Sequence, residues 1–152
     1  MNYPKITLDQ VTQKDFTGNG NDVLALDTLR NLSFNVTTPE VTGGAANSTV
    51  SEYVFVAPTK MEVTGAKFII SQVNVGASNT PTVSVKNGAN VVASKDIQLG
   101  GSAGNVAKLD LTAANVVANE GDVLTCNIVT PSAATVTTAL KGKFQIEWKS
   151  VV

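Results

Sequence analysis

The chain is expected to be all-β, a two-sheet β-sandwich of jelly-roll-like build with an N-terminal arm or extra hairpin, and three observations lead there. Val and Thr, whose branched side chains suit a pleated surface, number 22 and 18 of 152 residues, while the helix-filling Leu, Glu, Lys, Arg and Gln are sparse. The 12 Gly, 5 Pro and 14 Asn fall between the Val/Thr runs, where turn residues belong in a chain of short strands. From Val50 onward, apolar and polar residues alternate within runs that each stop at a Gly, Pro or Asn cluster.

Seven runs carry that alternation: Val50 to Ala57, Met61 to Ile70, Thr82 to Lys86, Asn90 to Ile97, Val106 to Leu111, Val123 to Val129 and Ala139 to Val151. Strands at this spacing build a two-sheet sandwich or a jelly roll. Pairing partners are invisible in periodicity, so jelly-roll and immunoglobulin-like strand orders both stay open. The sharpest local signal is Asn87-Gly88 between two Val-rich runs, which predicts a tight hairpin. In the last run Phe144, Ile146 and Trp148 alternate with Lys143, Gln145, Glu147 and Lys149, the pattern of a half-buried strand. Between Leu111 and Asp122 the Ala spacing predicts a short helical turn or wide turn bridging two strands.

The first 49 residues alternate poorly and are broken at Thr17 to Asp22 and Thr42 to Ser48. They are assigned to an N-terminal extension (1–49), and the sandwich domain to 50–152. Within the extension Val23, Leu26, Leu29 and Leu32 recur at intervals near three, which fits a strand pair or a short amphipathic helix.

The composition removes much chemistry. There is no His, so imidazole bases and imidazole metal ligands are absent, and the single Cys126 rules out thiolate clusters and internal disulfides. Lys+Arg 11 against Asp+Glu 12, with no basic block, argues against a nucleic-acid partner. No run reaches the 18 or so apolar residues of a membrane span, and the opening MNYPKITLDQ has neither a basic nor an apolar leader segment, so no membrane and no cleaved signal are expected.

Individual motifs are weaker than their functional readings require. Asp15 to Gly20 has the front of a calcium loop, but the twelfth position, where a bidentate Glu is needed, falls on Leu26. Gly100 to Gly104 lacks the Lys-Ser/Thr of a phosphate loop and leads into a strand. Glu120 and Asp122 flank Gly121 in a turn and read as solvated carboxylates; an enzyme would have to use these with Asp96 or Asp110. Cys126 shares a face with Leu124 and Ile128 and reads as a buried structural thiol. No catalytic residue, cofactor or metal is expected.

Five segments carry a resemblance: YVFVAP (Tyr53 to Pro58), VTGAKFII (Val63 to Ile70), TVSVKNG (Thr82 to Gly88), ANVVANEGDVLT (Ala114 to Thr125) and FQIEW (Phe144 to Trp148). Together they resemble the small jelly-roll modules of tailed-bacteriophage virions, above all head decoration (cement, auxiliary capsid) proteins, over about two-thirds of the chain. The resemblance implies a homotrimer at three-fold sites of a major capsid protein lattice, made in the host cytoplasm and located on the capsid surface. In that family an N-terminal arm often grips the shell, which would make Val23, Leu24, Leu26, Leu29, Leu32 and Phe34 the contact residues. Deleting residues 1–46 is then expected to leave a folded sandwich that no longer attaches. The alternative is a tail-fibre, spike or baseplate module binding host surface glycan, for which Trp148, Tyr53 and Phe55 are the aromatic candidates.

Overall fold

The computed structural model describes residues 33–73, 80–97, 103–131 and 138–151. The chain divides into two units, Met1–Leu32 and Ser33–Val152, and all of the described structure belongs to the second. Its strands are β1 (Ser33–Thr37), β2 (Val41–Thr42), β3 (Ser48–Val56), β4 (Met61–Gln72), β5 (Thr82–Asn87), β6 (Asn90–Asp96), β7 (Val106–Lys108), β8 (Asp110–Leu111), β9 (Val117–Ala118), β10 (Val123–Thr130) and β11 (Lys141–Ser150). A single 3-10 turn, Ala113–Asn115, lies between β8 and β9. No described helix is long and apolar enough to cross a membrane.

The strands form two antiparallel sheets. The first runs β1-β11-β4-β7, with β2 also on β11 and β9 also on β4; the second runs β3-β10-β5-β6-β8. Counting β1, β3, β4, β5, β6, β7, β10 and β11 as first to eighth, the orders are first-eighth-third-sixth and second-seventh-fourth-fifth. That is the order of a jelly roll, in which the chain changes sheet at nearly every step. Among these eight, only β5 to β6 stays within a sheet.

Alternation along each strand divides its side chains between core and solvent. Phe68, Phe144, Met61, Val63 and Ile146 from the first sheet meet Val83, Val85, Val92, Leu124, Cys126 and Ile128 from the second, all essentially without exposure. Phe68 and Phe144 pack with centroids 4.8 Å apart and planes tilted by 58°. Such a pair adds about 0.5–1.5 kcal/mol beyond area burial. Gly142 makes room for it, because a Cβ there would lie 2.4 Å from the Ile69 carbonyl oxygen and 2.5 Å from Phe68 Cζ.

The hairpin sits where Asn87-Gly88 predicted it, with its central residues one position on. Asn87 pairs with Asn90 as the last residue of β5, and Gly88-Ala89 form the turn. Gly88 has φ +57°, and Ala89 has no positive φ. One positive φ at the first central residue is the type II′ requirement, whereas type I′ needs two.

Val106 to Leu111, which reads as one strand, is split between the sheets. β7 pairs with β4, β8 pairs with β6, and Leu109 between them is buried with its N–H donating to the Ala66 carbonyl. The alternation is the same before and after the crossing, so no sequence signal marks the step. Between Leu111 and Asp122 the expected helical turn is the 3-10 turn, pinned to β6 by Thr112 N–H and Asn115 Nδ2 donating to Val92 and Val91 carbonyls, each at 2.8 Å.

The extension ends earlier than 49. Residues 33–49 belong to the sandwich: β1 pairs along β11 from Ser33↔Lys149 to Thr37↔Gln145, and β2 continues that edge at Val41↔Gly142. Between them Thr38 exchanges bonds with Phe144, its N–H donating to the carbonyl at 2.9 Å and its Oγ1 accepting the amide at 3.0 Å. Pro39, with no N–H, and the Gly43-Gly44 pair interrupt the run, so periodicity failed over strands of five and two residues. Deleting residues 1–46 therefore strips one edge of β11.

Two outcomes follow. Removing residues 1–32 leaves cooperative thermal unfolding of the sandwich, whereas removing 1–46 lowers the melting temperature sharply or gives aggregates, as read by circular dichroism and light scattering. Gly142→Ala costs about 1–3 kcal/mol, the usual range for overpacking, in urea denaturation.

Candidate functional site

Of the contact residues named from sequence, Val23, Leu24, Leu26, Leu29 and Leu32 lie outside the described residues. Phe34 lies on β1 opposite Trp148 and stacks on it, with centroids 4.8 Å apart and planes 26° from parallel. Trp148 stacks in turn on Phe55 of β3 at 6.1 Å and 24°, joining the two sheets. Phe34, Phe55 and Trp148 are each half-buried, so the stack leaves part of every one of them at the surface. The indole Nε1 of Trp148 is buried with no hydrogen-bond partner among the described residues.

The carboxylates considered for catalysis are placed individually. Asp96 accepts from Thr82 Oγ1 at 2.6 Å, and Asp110 pairs with Lys95 at 2.8 Å. Glu120 is exposed in the turn. Asp122 is the structural member: its Oδ2 accepts Asn87 Nδ2 at 2.7 Å and the Asn119 N–H at 2.9 Å, and its carbonyl accepts the Ala57 N–H at 2.8 Å. One residue thereby ties the end of β3, the β5–β6 hairpin and the turn before β10. The Asn87 amide, then the Asn119 N–H, hold its carboxyl below the ordinary 3.8, against a smaller opposing effect of desolvation. No described group of three or more His, Cys, Asp or Glu side chains is arranged to hold a metal.

Cys126 is fully buried beside Leu124 and Ile128, as its face in β10 implied, and burial pushes its thiol pKa far upward. The thiolate needed for reaction is therefore not formed near neutrality. Ala103 and Gly104, the described part of the Gly-rich connection, enter β7 through a turn in which Gly104, at φ +88°, donates its N–H to Ile70.

The outward faces of the two sheets differ in chemistry. On the first, Lys67 pairs with Glu147 and Lys149 with Glu62 across neighbouring strands, contacts worth about 0.2–1 kcal/mol each at this exposure. On the second, small polar residues stand side by side: Asn127 of β10 lies between Ser51 of β3 and Ser84 of β5, and Ser84 faces Ser94 of β6. Asn127 and Ser84 are only 4% exposed although their neighbours Cys126, Ile128, Val83 and Val85 fill the core side. Asn127, but not Ser84, lines an open groove of about 360 Å³ together with Thr49, Ser51, Thr125 and Lys86. Asn127 Oδ1 is buried there with no hydrogen-bond partner among the described residues. An acceptor left in that state costs about 1–3 kcal/mol. Sequence alternation marks Asn127 as outward-facing and therefore solvated; its burial comes from the neighbouring strands.

No protein-family model matches the chain, and no curated protein matches it. Among solved structures it is similar to the structure of infectious bursal disease virus, Gx strain, at 14% identity and a TM-score of 0.39, over 78% of this chain and 32% of that chain. The chain thus spans about a third of that protein's length, and a likeness of this size carries no functional weight.

Two measurements check this arrangement. Cys126 stays unreactive to a thiol reagent at neutral pH until the protein is unfolded, when one thiol per chain titrates. Because the Asp122 pKa is lowered on folding, its bonds stabilise above about 3.8, the ordinary value, and are lost as pH falls through the lowered one. Asp122→Ala is accordingly less stable than the parent at pH 6, and the gap between their melting temperatures closes in acid.

Proposed function

We propose that the chain is a non-enzymatic virion structural protein that decorates and stabilises a bacteriophage capsid, as a homotrimer at three-fold sites of the major capsid protein lattice. The observation that carries this reading is the jelly-roll strand order of Ser33 to Ser150, which contains the residues, Ser51 to Trp148, whose sequence resembles head decoration modules. A jelly roll by itself hosts many functions, so the strand order supports the reading only together with that resemblance.

The chemistry is consistent with a structural role. With no His and with Cys126 in the core, the nucleophiles and bases left are hydroxyls, amines and carboxylates, and Asp96, Asp110 and Asp122 each have a local partner. Shell attachment is assigned to Val23, Leu24, Leu26, Leu29 and Leu32, because an arm held by apolar burial gains more than one held by surface charge. Phe34, half-buried against Trp148, joins that set as its described member.

Quantifying the protein against the major capsid protein in purified particles of its source virus tests the proposal. Copies in the hundreds per particle, and rebinding of purified protein to stripped heads, are expected. A few to a few dozen copies would instead indicate a fibre, spike or baseplate component. Absence from particles would refute a virion role.

A further inference from the structure

Asn87-Gly88 is one of two Asn-Gly pairs in the chain, the other being Asn19-Gly20. Asparagine is thermolabile because the backbone nitrogen of the next residue can attack its side-chain amide carbon, and a following glycine, with no Cβ, hinders that approach least. The fold places this pair at a tight turn: Asn87, half-buried, ends β5 opposite Asn90, and Gly88 follows at φ +57°. It also ties up the group that would leave. Asn87 Nδ2 donates to Asp122 Oδ2 at 2.7 Å, and the same oxygen is fixed by the Asn119 N–H at 2.9 Å. Ring closure requires the Asn87 side chain to swing off Asp122 and over the Gly88 nitrogen, so the reactive pair and its restraint lie in one place.

We propose that Asn87 is a site of spontaneous covalent modification whose rate is set by its bond to Asp122. When that bond opens, the Gly88 nitrogen bonds to Asn87 Cγ, the Cγ–Nδ2 bond breaks, and Nδ2 leaves as ammonia with the proton that the Gly88 nitrogen gives up. Water then opens the five-membered imide at one carbonyl or the other, leaving aspartate or isoaspartate at position 87. For the clamp the change is one-way. A carboxylate at 87 has no N–H to donate and brings a second negative charge up to Asp122, while isoaspartate also inserts a methylene into the backbone at the Asn87↔Asn90 pair. The end of β3, the β5–β6 hairpin and the turn before β10, which Asp122 gathers, then lose the hairpin connection. The site lies within the sandwich and is independent of the decoration reading.

The test follows the full chain by peptide mass mapping during incubation at neutral pH, reading isoaspartate and the mass change of ammonia loss and water uptake at Asn87, with Asn19-Gly20 as internal reference. Asn87 is expected to convert at least about tenfold more slowly in the folded parent than in urea, and Asp122→Ala to speed the folded protein by about tenfold, the scale of one hydrogen bond to a charged group. Gly142→Ala weakens the other sheet and leaves the clamp in place, so its Asn87 rate stays near the parent's. Asn87→Asp melts several degrees below the parent. Equal rates in the folded parent and in urea overturn the inference, as do equal rates in Asp122→Ala and Gly142→Ala, or an Asn87→Asp variant as stable as the parent. The first comparison uses no variant and keeps the inference open to refutation even if Asp122→Ala does not fold.

Discussion

The seating of β11 between β1 and β4 is the constraint on which the rest of the fold depends. This strand brings Phe144, Ile146 and Trp148 to the core, and its two flanks are both supplied from the first third of the sandwich sequence, Ser33 to Thr42 on one side and Met61 to Gln72 on the other. Gly142 lets it approach β4 closely enough for Phe68 to lie against Phe144. Pairings of such long sequence separation form late and cost loop-closure entropy before they are rewarded. The jelly-roll order sets this last strand beside the first while the intervening strands pass back and forth between the sheets.

A second set of contacts stops the two sheets from sliding. The Phe34–Trp148–Phe55 stack joins them through aromatic rings, and Leu109 is buried where the chain crosses from β7 to β8. Asp122 gathers three chain segments through one side chain and its own backbone. Exposed ion pairs on the first sheet contribute little by comparison. The stability of this domain resides in β-branched and aromatic burial with a few fully used polar groups.

The long strands β3, β4, β5, β6, β10 and β11 were legible because each is long enough for its alternation to be read and is bounded by turn residues. Those before Val50 were not, since five- and two-residue strands interrupted by Pro39 and Gly43-Gly44 carry too little pattern. Phe34 belonged by spacing to the apolar series that begins at Val23; its packing on Trp148 is set by a strand pairing 114 residues away in the chain. The groove was illegible for a related reason. Ser51, Lys86 and Asn127 are ordinary polar positions on three separate strands, and only strand pairing brings them to one groove.

The amino-acid sequence by itself determined the all-β class, the hairpin at Gly88, the buried face of β10 with Cys126 and the half-buried terminal strand. Each of these depends on local spacing and on the conformational range of single residues. Tertiary structure alone decided which strands are neighbours, where one run is divided between two sheets, that residues 33–49 belong to the sandwich, and that an outward-facing Asn127 is buried. Those properties depend on pairing between residues distant in the chain, and alternation of period two is the same whichever strand lies alongside.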